Sequence, residues 1–419
     1  MSAEYIEEQL SYLLPIYYKR LFPSLPFYRW LSYGKSTNFS KREISFTLIG
    51  DIYLRFQSFD THADFVNELC KRFPIKIDIG CVYQTKPRDK NMLTALIPVF
   101  KEVVFDIDMT DYDEIRTCCS GADVCNKCWK FMAIASKIID ATLREDFGFK
   151  HILWVFSGRR GIHAWVCDES ARTLDDNVRS AIVEYMYVIK GGLGTSKKVN
   201  LVGNVHHSLK RALSIIDKYF IQSILKDQDI LGTQERLDCF LNMVDEEVRE
   251  IFRGNMRKLE TSEQRWHSFE KTFADLQSKG QLSRGGRNMI EEMKLYYAYP
   301  RLDVNVSKAL NHLLKAPFCV HPKTGKICIP FNVKNVDNFD LNNVPTLNQL
   351  MEQIDLYDKK TKEQDNMTME TDESTLNKFK IKDYKKTSLL GPVNIFMEFL
   401  RGLESKSEKR KMENADLNF

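Results

Sequence analysis

Two aspartates separated by one residue follow a short apolar run in the first third of the chain. Asp106 and Asp108 come directly after Val103-Val104-Phe105, a run that favours a β-strand. Because alternate side chains of a strand point to the same face, both carboxylates would project together while Ile107 packs behind them. Carboxylates that close repel each other unless a cation lies between them, and Mg²⁺ or Mn²⁺ takes such oxygen ligands. The pair indicates a divalent-metal site, although a strand that ends in solvated aspartates has the same short pattern.

A turn rich in glycine and arginine lies further along the chain. Ser157-Gly158-Arg159-Arg160-Gly161 joins two apolar segments, 151–157 and 162–166, that are predicted strands. Glycine lets the backbone approach a ligand, and the planar guanidinium of arginine binds phosphate oxygens. His163 alternates with its apolar neighbours, so it faces the opposite side and is placed to donate to a triphosphate. The turn indicates anion binding, with an ordinary surface hairpin as the alternative.

Four of the ten cysteines lie in one short polar segment, as Cys118-Cys119-x₅-Cys125-x₂-Cys128. Four thiolates at this spacing suit a tetrahedral zinc ion, and a site whose four positions are all filled by protein is structural. The adjacent cysteine pair departs from the usual CxxC knuckles of common zinc folds. An iron–sulfur cluster also takes four thiolates. Four unliganded cysteines are a third interpretation, which their place in a polar loop disfavours.

The composition excludes some classes of protein. The chain has 419 residues, of which 43% are hydrophobic and 28% charged, with a net charge of +4. That charge does not indicate nucleic-acid binding unless the basic residues gather in a groove. The N-terminus, MSAEYIEEQLSYLLP, lacks the apolar run of a signal peptide, and no segment approaches the roughly 20 apolar residues of a membrane span. We expect a reducing compartment and no membrane association.

Predicted strands and helices occupy different parts of the chain. Besides the strands beside the arginine turn, segments rich in β-branched and aromatic residues predict strands at 44–47, 76–83 and 102–109. The stretch 205–300 is charged and has apolar residues at helical spacing. The pattern predicts a mixed α/β body that is interrupted by a helical insertion.

The last part of the chain changes character. Residues 352–380 offer little to bury, which predicts a disordered acidic linker. A docking helix is predicted within 381–405, because apolar side chains there share one helical face: Phe396, Phe399, Leu400 and Leu403. Residues 406–419 are charged and are predicted to form a flexible tail.

The segment 299–325, YPRLDVNVSKALNHLLKAPFCVHPKTG, completes a set of motifs. Asp303 lies in its β-like start, Lys315 in a predicted helix and His321 in a Pro/Gly turn. Together with FDIDM, the cysteine cluster and SGRRGIHAWV, this segment resembles the eukaryotic and archaeal DNA primase small subunit, most closely the eukaryotic form. The similarity extends from residue 42 to about residue 330.

The resemblance implies a polymerase site with two catalytic Mg²⁺ or Mn²⁺ ions held by Asp106, Asp108 and Asp303. For Asp303 the resemblance is the sole argument. It also implies one structural Zn²⁺ ion on Cys118, Cys119, Cys125 and Cys128. The nucleoside triphosphate would meet Ser157, Arg159, Arg160, His163, Lys315 and His321. Less firmly matched lining residues are Arg55, Lys76 and Asp78.

The implied fold is a primase-type α/β catalytic domain of mixed sheets with flanking helices. It would carry an inserted all-helical subdomain at 191–300 and a small zinc-binding loop at 109–131. The catalytic domain would then consist of 1–190 and 301–351.

The implied activity is template-directed synthesis of short RNA primers from NTPs on single-stranded DNA. Implied partners are the DNA template, a large primase subunit in a heterodimer and the DNA polymerase α complex, in the nucleus. A primase-polymerase of the translesion or end-joining type shares the metal-binding core and is an alternative. An assay of NTP against dNTP use on an unprimed template would separate the two classes of enzyme. A non-catalytic zinc-stabilised nucleic-acid-binding subunit is another alternative, but it leaves the acidic pair and the arginine turn unexplained.

Overall fold

The computed structural model describes residues 6–189, 198–367 and 381–416. Within this part of the chain, two antiparallel sheets lie among helices, so the mixed α/β class is confirmed. No helix among the described residues has the length and apolar character needed to cross a membrane. The five strands predicted within the first 166 residues all form, with ends that shift by at most two residues.

The first sheet has the strand order β2-β1-β3-β4, with β8 also paired to β3, and the second has the order β5-β7-β6-β9. The strands are β1 Arg42–Thr47, β2 Tyr53–Gln57, β3 Lys76–Tyr83, β4 Pro98–Phe100, β5 Val103–Asp108, β6 Ile152–Phe156, β7 Gly161–Val166, β8 Leu314–Lys315 and β9 Pro330–Phe331.

The helices are α1 Leu10–Arg20, α2 Ser24–Ser32, α3 Ser36–Ser40, α4 His62–Arg72, α5 Asn126–Glu145, α6 Glu169–Arg172, α7 Asp176–Met186, α8 His207–Tyr219, α9 Gln234–Leu241, α10 Glu246–Met256, α11 Ser262–Ser278, α12 Met289–Ala298, α13 Val304–Lys308, α14 Leu347–Met367 and α15 Leu390–Asp416. A π-helix, Phe220–Asp227, continues α8. The described residues between 198 and 300 contain helices and no strand, as the helical spacing predicts.

Helix α5 supports the second sheet from behind. Its buried side chains include Phe131, Ile134 and Ile138, and it packs against β7 and α8. The helix begins directly after Cys125, so the cysteine cluster lies at its amino-terminal end. Burial of this apolar face ties the cysteine loop, the second sheet and the helical region into one core.

Two local predictions in the segment 299–325 are wrong. The β-like piece at Asp303 is the start of helix α13, because the Asp303 carboxylate accepts a hydrogen bond from the Asn305 N–H at 3.1 Å and so caps the helix. Lys315 lies in strand β8 and not in a helix, because its backbone pairs with Asp78 of β3. At Lys315 a strand distant in sequence overrides the local pattern.

The carboxyl-terminal predictions also differ from the structure. Helix α14 extends into the predicted linker 352–380, because Leu347, Leu350 and Ile354 bury one face of it. Residues 368–380 lie outside the described residues. The predicted docking helix is α15, whose Phe396 and Leu400 are buried; the helix runs past residue 405 into the predicted tail.

Candidate active site

The two aspartates of β5 project side by side, as their spacing predicts. In the antiparallel pairing with β7, Asp106 lies opposite His163 and Asp108 lies opposite Gly161. The intervening Ile107 is buried. The His163 Nε2 lies 3.5 Å from an Asp106 carboxylate oxygen. Strand register therefore places an imidazole and two carboxylates on one face of the second sheet.

Asp303 reaches this face through two backbone anchors. Its N–H donates to the carbonyl oxygen of Asp106 at 3.2 Å. Within α13, the Ser307 hydroxyl donates to the carbonyl oxygen of Val104 at 2.5 Å. The chain thus returns from the helical region and lies along β5, which brings the third carboxylate to the pair.

The pKa values of the two β5 aspartates are shifted in opposite directions. Burial, with the nearby charges of Asp108 and Asp303, raises the pKa of Asp106 to about 7. Asp108 behaves differently: burial alone would raise its pKa, but hydrogen bonds from Thr110 and Arg160 lower it. The Thr110 N–H lies 2.8 Å from one Asp108 oxygen, and Arg160 Nε donates to the other at 2.9 Å. A divalent cation would relieve the repulsion that raises the pKa of Asp106.

The arginine turn is held tightly over the carboxylates. The Ser157 hydroxyl accepts from the Gly161 N–H at 3.0 Å and closes the turn. Gly158 has a φ of +93°, and a Cβ there would lie 2.7 Å from the Cβ of His321. A Cβ on Gly161 would lie 2.5 Å from the Ile107 carbonyl oxygen. Both glycines are therefore required by the close approach of the turn to other parts of the chain, whereas approach to a ligand stays a prediction.

Lys315 joins the first sheet to the turn. Its ammonium donates to the Ser157 carbonyl oxygen at 2.5 Å, and its backbone pairs with Asp78 of β3. Lys76, also on β3, forms an ion pair with Asp78 at 3.0 Å. The two sheets therefore meet across a cleft, with Lys76 and Lys315 on the first sheet and Asp106 and Asp108 on the second.

This cleft is a pocket of about 370 Å³. It gathers all but one of the residues predicted to bind the catalytic metals or the nucleotide: Lys76, Asp78, Asp106, Asp108, Ser157, Arg159, Arg160, His163, Asp303, Lys315 and His321. Arg55 does not line it. The Arg55 guanidinium pairs with Glu43 at 2.9 Å and donates to the Asn311 carbonyl oxygen at 3.3 Å, behind the pocket wall.

Both histidines of the pocket are neutral at physiological pH. Burial and the charge of Lys315 lower the pKa values of His163 and His321 to about 3. A neutral imidazole donates one hydrogen bond without adding charge. The positive charge of the pocket therefore comes from its lysines and arginines.

The four clustered cysteines converge at the start of α5. Their sulfur atoms all lie within 4.8 Å of one another, which fits a metal ion such as zinc. Among the described residues this is the one such cluster of possible metal ligands; the three aspartates share a pocket but do not converge as closely. The Cys125 N–H donates to the Cys128 sulfur at 3.2 Å.

Two polar side chains orient the cysteine loop, and sequence reasoning missed both. Arg116 donates to the Asp123 and Gly121 carbonyl oxygens at 2.8 and 2.9 Å, and its guanidinium lies 3.8 Å from the Cys128 sulfur. Gln228 is fully buried and donates to the Cys118 sulfur at 3.3 Å. The contact of Arg116 with the Cys128 sulfur and the hydrogen bond from Gln228 to the Cys118 sulfur both favour the thiolate form of these ligands. Arg116 is close enough in sequence to have been suspected, whereas nothing local marks Gln228.

Comparison with known proteins identifies the family. The family model described as DNA primase small subunit matches residues 105–333. A DNA primase small subunit of Drosophila melanogaster is 49% identical over 428 residues, which cover 99% of this chain and 95% of the relative. That of Schizosaccharomyces pombe is 38% identical and covers 96% and 92% of the two chains. This chain belongs to the DNA primase small subunit family.

Archaeal members of the DNA primase small subunit family are more distant. The protein named DNA primase small subunit PriS of Picrophilus torridus is 24% identical over 334 residues, with coverage of 74% of this chain and 83% of the relative. The predicted resemblance, closest to the eukaryotic form, is confirmed. The family match spans the carboxylates, the cysteine cluster and the arginine turn, while Arg55, Lys76 and Asp78 precede it.

Proposed function

We propose that this chain is the catalytic subunit of a DNA primase, which synthesises RNA primers from NTPs on single-stranded DNA. The observation that supports this most directly is the 370 Å³ pocket, where three carboxylates face Arg159, Arg160 and Lys315. Carboxylates beside a set of fixed cations suit a metal-bound triphosphate. The names of the relatives in flies and yeasts agree with this function.

In the proposed mechanism Asp106, Asp108 and Asp303 hold the catalytic metals. Burial, together with the nearby charges of Asp108 and Asp303, raises the pKa of Asp106, which supports a donor set suited to divalent cations. Two bound Mg²⁺ or Mn²⁺ ions would activate the attacking 3′-hydroxyl and neutralise the leaving pyrophosphate.

The remaining pocket residues bind and orient the triphosphate. Arg159 and Arg160 present guanidinium groups at the turn, and Lys315 adds an ammonium whose position is fixed by the Ser157 carbonyl. His163 and His321, being neutral, donate hydrogen bonds to phosphate oxygens. Lys76 and Asp78 line the pocket on the β3 side, where the sugar would lie.

A primer-synthesis assay tests the proposal. The chain with its large subunit is given poly-pyrimidine single-stranded DNA and radiolabelled ATP or GTP, with Mg²⁺ or Mn²⁺. We expect dinucleotides and longer RNA from NTPs and much less product from dNTPs. Equal or better use of dNTPs would favour a primase-polymerase of the translesion or end-joining type. Template binding without any product would instead favour a non-catalytic subunit.

The cysteine cluster is proposed to hold one structural zinc ion. The sulfur atoms lie within 4.8 Å of one another, and the loop is tied to α5 and, through Gln228, to the helical region. We expect one zinc per purified chain by elemental analysis, and a lower melting temperature in Cys128→Ser, because structural zinc binding contributes to folding. Cys239→Ser, at an exposed cysteine outside the cluster, is the matched control. Purified protein that contains iron with visible absorbance, or that lacks metal, would contradict the zinc assignment.

We further propose the assembly that the family implies. The small subunit would form a heterodimer with a large primase subunit and act with DNA polymerase α in the nucleus on a DNA template. Helices α8–α12 would form the inserted subdomain of the primase fold, within the predicted 191–300. Co-purification of the tagged chain with a large subunit from nuclear extract tests this assembly.

A further inference from the structure

A short antiparallel hairpin, residues 318–328, lies beside the pocket. The Phe318 N–H donates to the Cys328 carbonyl oxygen at 2.7 Å at its open end, and the His321 N–H donates to the Lys326 carbonyl oxygen at 2.8 Å near its tip. His321 also lines the pocket, so the position of the hairpin sets the position of this imidazole.

The 318–328 hairpin also supports the arginine turn. The Thr324 hydroxyl donates to the Gly158 carbonyl oxygen at 2.8 Å, and the Cys328 thiol donates to the Ser157 carbonyl oxygen at 3.2 Å. A shift of the hairpin would therefore move the turn and the two arginines that it presents to the pocket.

The backbone is strained at Phe318, where the hairpin begins. Its φ is +64°, in the left-handed region that a bulky residue rarely adopts. Such a conformation persists only where the surrounding structure holds it. Phe318 lies between Lys315 of β8 and His321, so this bend directs the chain from one pocket residue to the other.

Tyr17 of α1 holds this bend from a distant part of the chain. Its hydroxyl donates to the Phe318 carbonyl oxygen at 2.7 Å, across 301 positions of sequence, and both residues are fully buried. Burial raises the pKa of Tyr17 well above its usual value, so the hydroxyl keeps the proton that it donates. The Phe396 ring of α15 packs edge-on against the Phe318 ring, with 5.3 Å between the centroids. Tyr17 therefore restrains the backbone of Phe318, and Phe396 restrains its side chain.

We propose that Tyr17 is a positioning residue for nucleotide binding, which acts through the Phe318 carbonyl and the 318–328 hairpin on His321 and the arginine turn; the inference rests on the function proposed above. Tyr17 is not among the described residues that line the pocket. The three carboxylates are positioned separately, on β5 or by hydrogen bonds to its backbone. Loss of the Tyr17 hydroxyl should therefore weaken binding of the triphosphate and leave the chemical step nearly unchanged.

Steady-state extension of an RNA primer on a DNA template, by the full chain with its large subunit, tests the role of Tyr17. Tyr17→Phe keeps the ring and removes only the hydroxyl. We expect the KM for NTP to rise about fivefold, which corresponds to roughly 1 kcal/mol, the net contribution of one hydrogen bond. The value of kcat should stay within about twofold. Equilibrium binding of a fluorescent NTP in the presence of Mn²⁺ should weaken by the same factor as the KM.

Tyr18→Phe is the matched control. Tyr18, next on α1, is 4% exposed, and its hydroxyl donates to the Pro74 carbonyl oxygen at 2.6 Å. A buried tyrosine usually has such a bond wherever it lies, so both substitutions should lower the melting temperature to a similar extent. Only Tyr17→Phe should raise the KM for NTP, because Pro74 lies outside the 318–328 hairpin.

Thr324→Val checks the route, because it removes the hydrogen bond from the hairpin to Gly158. Its effect on the KM for NTP should be less than multiplicative with that of Tyr17→Phe, since both variants loosen the same turn. Effects that multiply, or equal KM values for NTP in Tyr17→Phe and Tyr18→Phe, would overturn the positioning role. A wild-type chain that binds NTP but extends no primer and makes no dinucleotide would overturn the proposed function, and NTP binding by the variants would still decide the role of Tyr17.

Discussion

Asp108→Ala is expected to lower primer synthesis by about a thousandfold or more. Asp108 lines the pocket between the two sheets, so its carboxylate would help to hold the catalytic metal ions there. Removing a single neutral hydrogen-bond donor that stabilises a transition state costs on the order of 10²–10³ in rate. The loss of a charged metal ligand should cost at least as much. Primer synthesis from NTPs at saturating Mn²⁺ measures the effect.

The same substitution should leave the fold intact. Asp108 is 37% exposed at its side chain, and its removal takes one repelling charge away from Asp106, whose side chain is 29% exposed. We expect the melting temperature to stay within a few degrees of the wild type, since partly exposed substitutions of this kind cost little. Asp238→Asn, at an exposed aspartate on α9, is the control and should keep full activity. Primer synthesis retained by a folded Asp108→Ala protein would contradict the catalytic assignment.

Features that depend on near neighbours were predictable from the sequence. Strand alternation places Asp106 and Asp108 on one face, and the β5 pairing shows them there. The sequence predicts a tight turn bracketed by two glycines, and the turn between β6 and β7 is so closely packed that a Cβ at Gly158 or Gly161 would meet another part of the chain. Such features follow from the geometry of a few consecutive residues.

Features that depend on distant partners were not predictable in the same way. The β-branched residues after Asp303 favour a strand, yet this stretch is helix α13, anchored to β5 by Ser307. Lys315 owes its position to pairing with β3, and Gln228 reaches the cysteine loop from the π-helix. Helix α14 forms in the predicted linker because its apolar face is buried. Local propensity cannot report such contacts.

A buried network of charged residues lies next to the pocket between the two sheets. Arg42 forms two hydrogen bonds with Glu102, at 2.8 and 3.0 Å, and both side chains are fully buried. Lys101, next in sequence, donates to the carbonyl oxygen of His312, which lines the pocket. Burial and the charge of Arg179 lower the pKa of Lys101 to about 7. The pocket wall therefore depends on Glu102, the carboxylate that compensates these cations.

Glu102→Gln is expected to lower the free energy of unfolding by about 3–5 kcal/mol, because it leaves Arg42 buried without its counter-charge. The pH dependence of the wild type should show the same interaction. Burial alone would raise the pKa of Glu102, but Arg42 and the Tyr33 hydroxyl, 2.5 Å away, lower it from 4.5 to about 2. Since the folded pKa lies below the unfolded one, this stabilisation is present above about pH 5 and is lost as the pH falls toward 2. The shift corresponds to about 3 kcal/mol.

Urea denaturation at neutral pH and again near pH 3 separates these effects. The difference in stability between wild type and Glu102→Gln should be largest at neutral pH and shrink in acid, where the wild-type carboxylate begins to take up a proton. Glu250→Gln is the matched control: Glu250 pairs with Arg253 but is 74% exposed, so its loss should cost no more than about 0.5 kcal/mol. A Glu102→Gln protein as stable as this control would mean that backbone carbonyls alone, such as that of Gly80 at 3.0 Å, compensate Arg42.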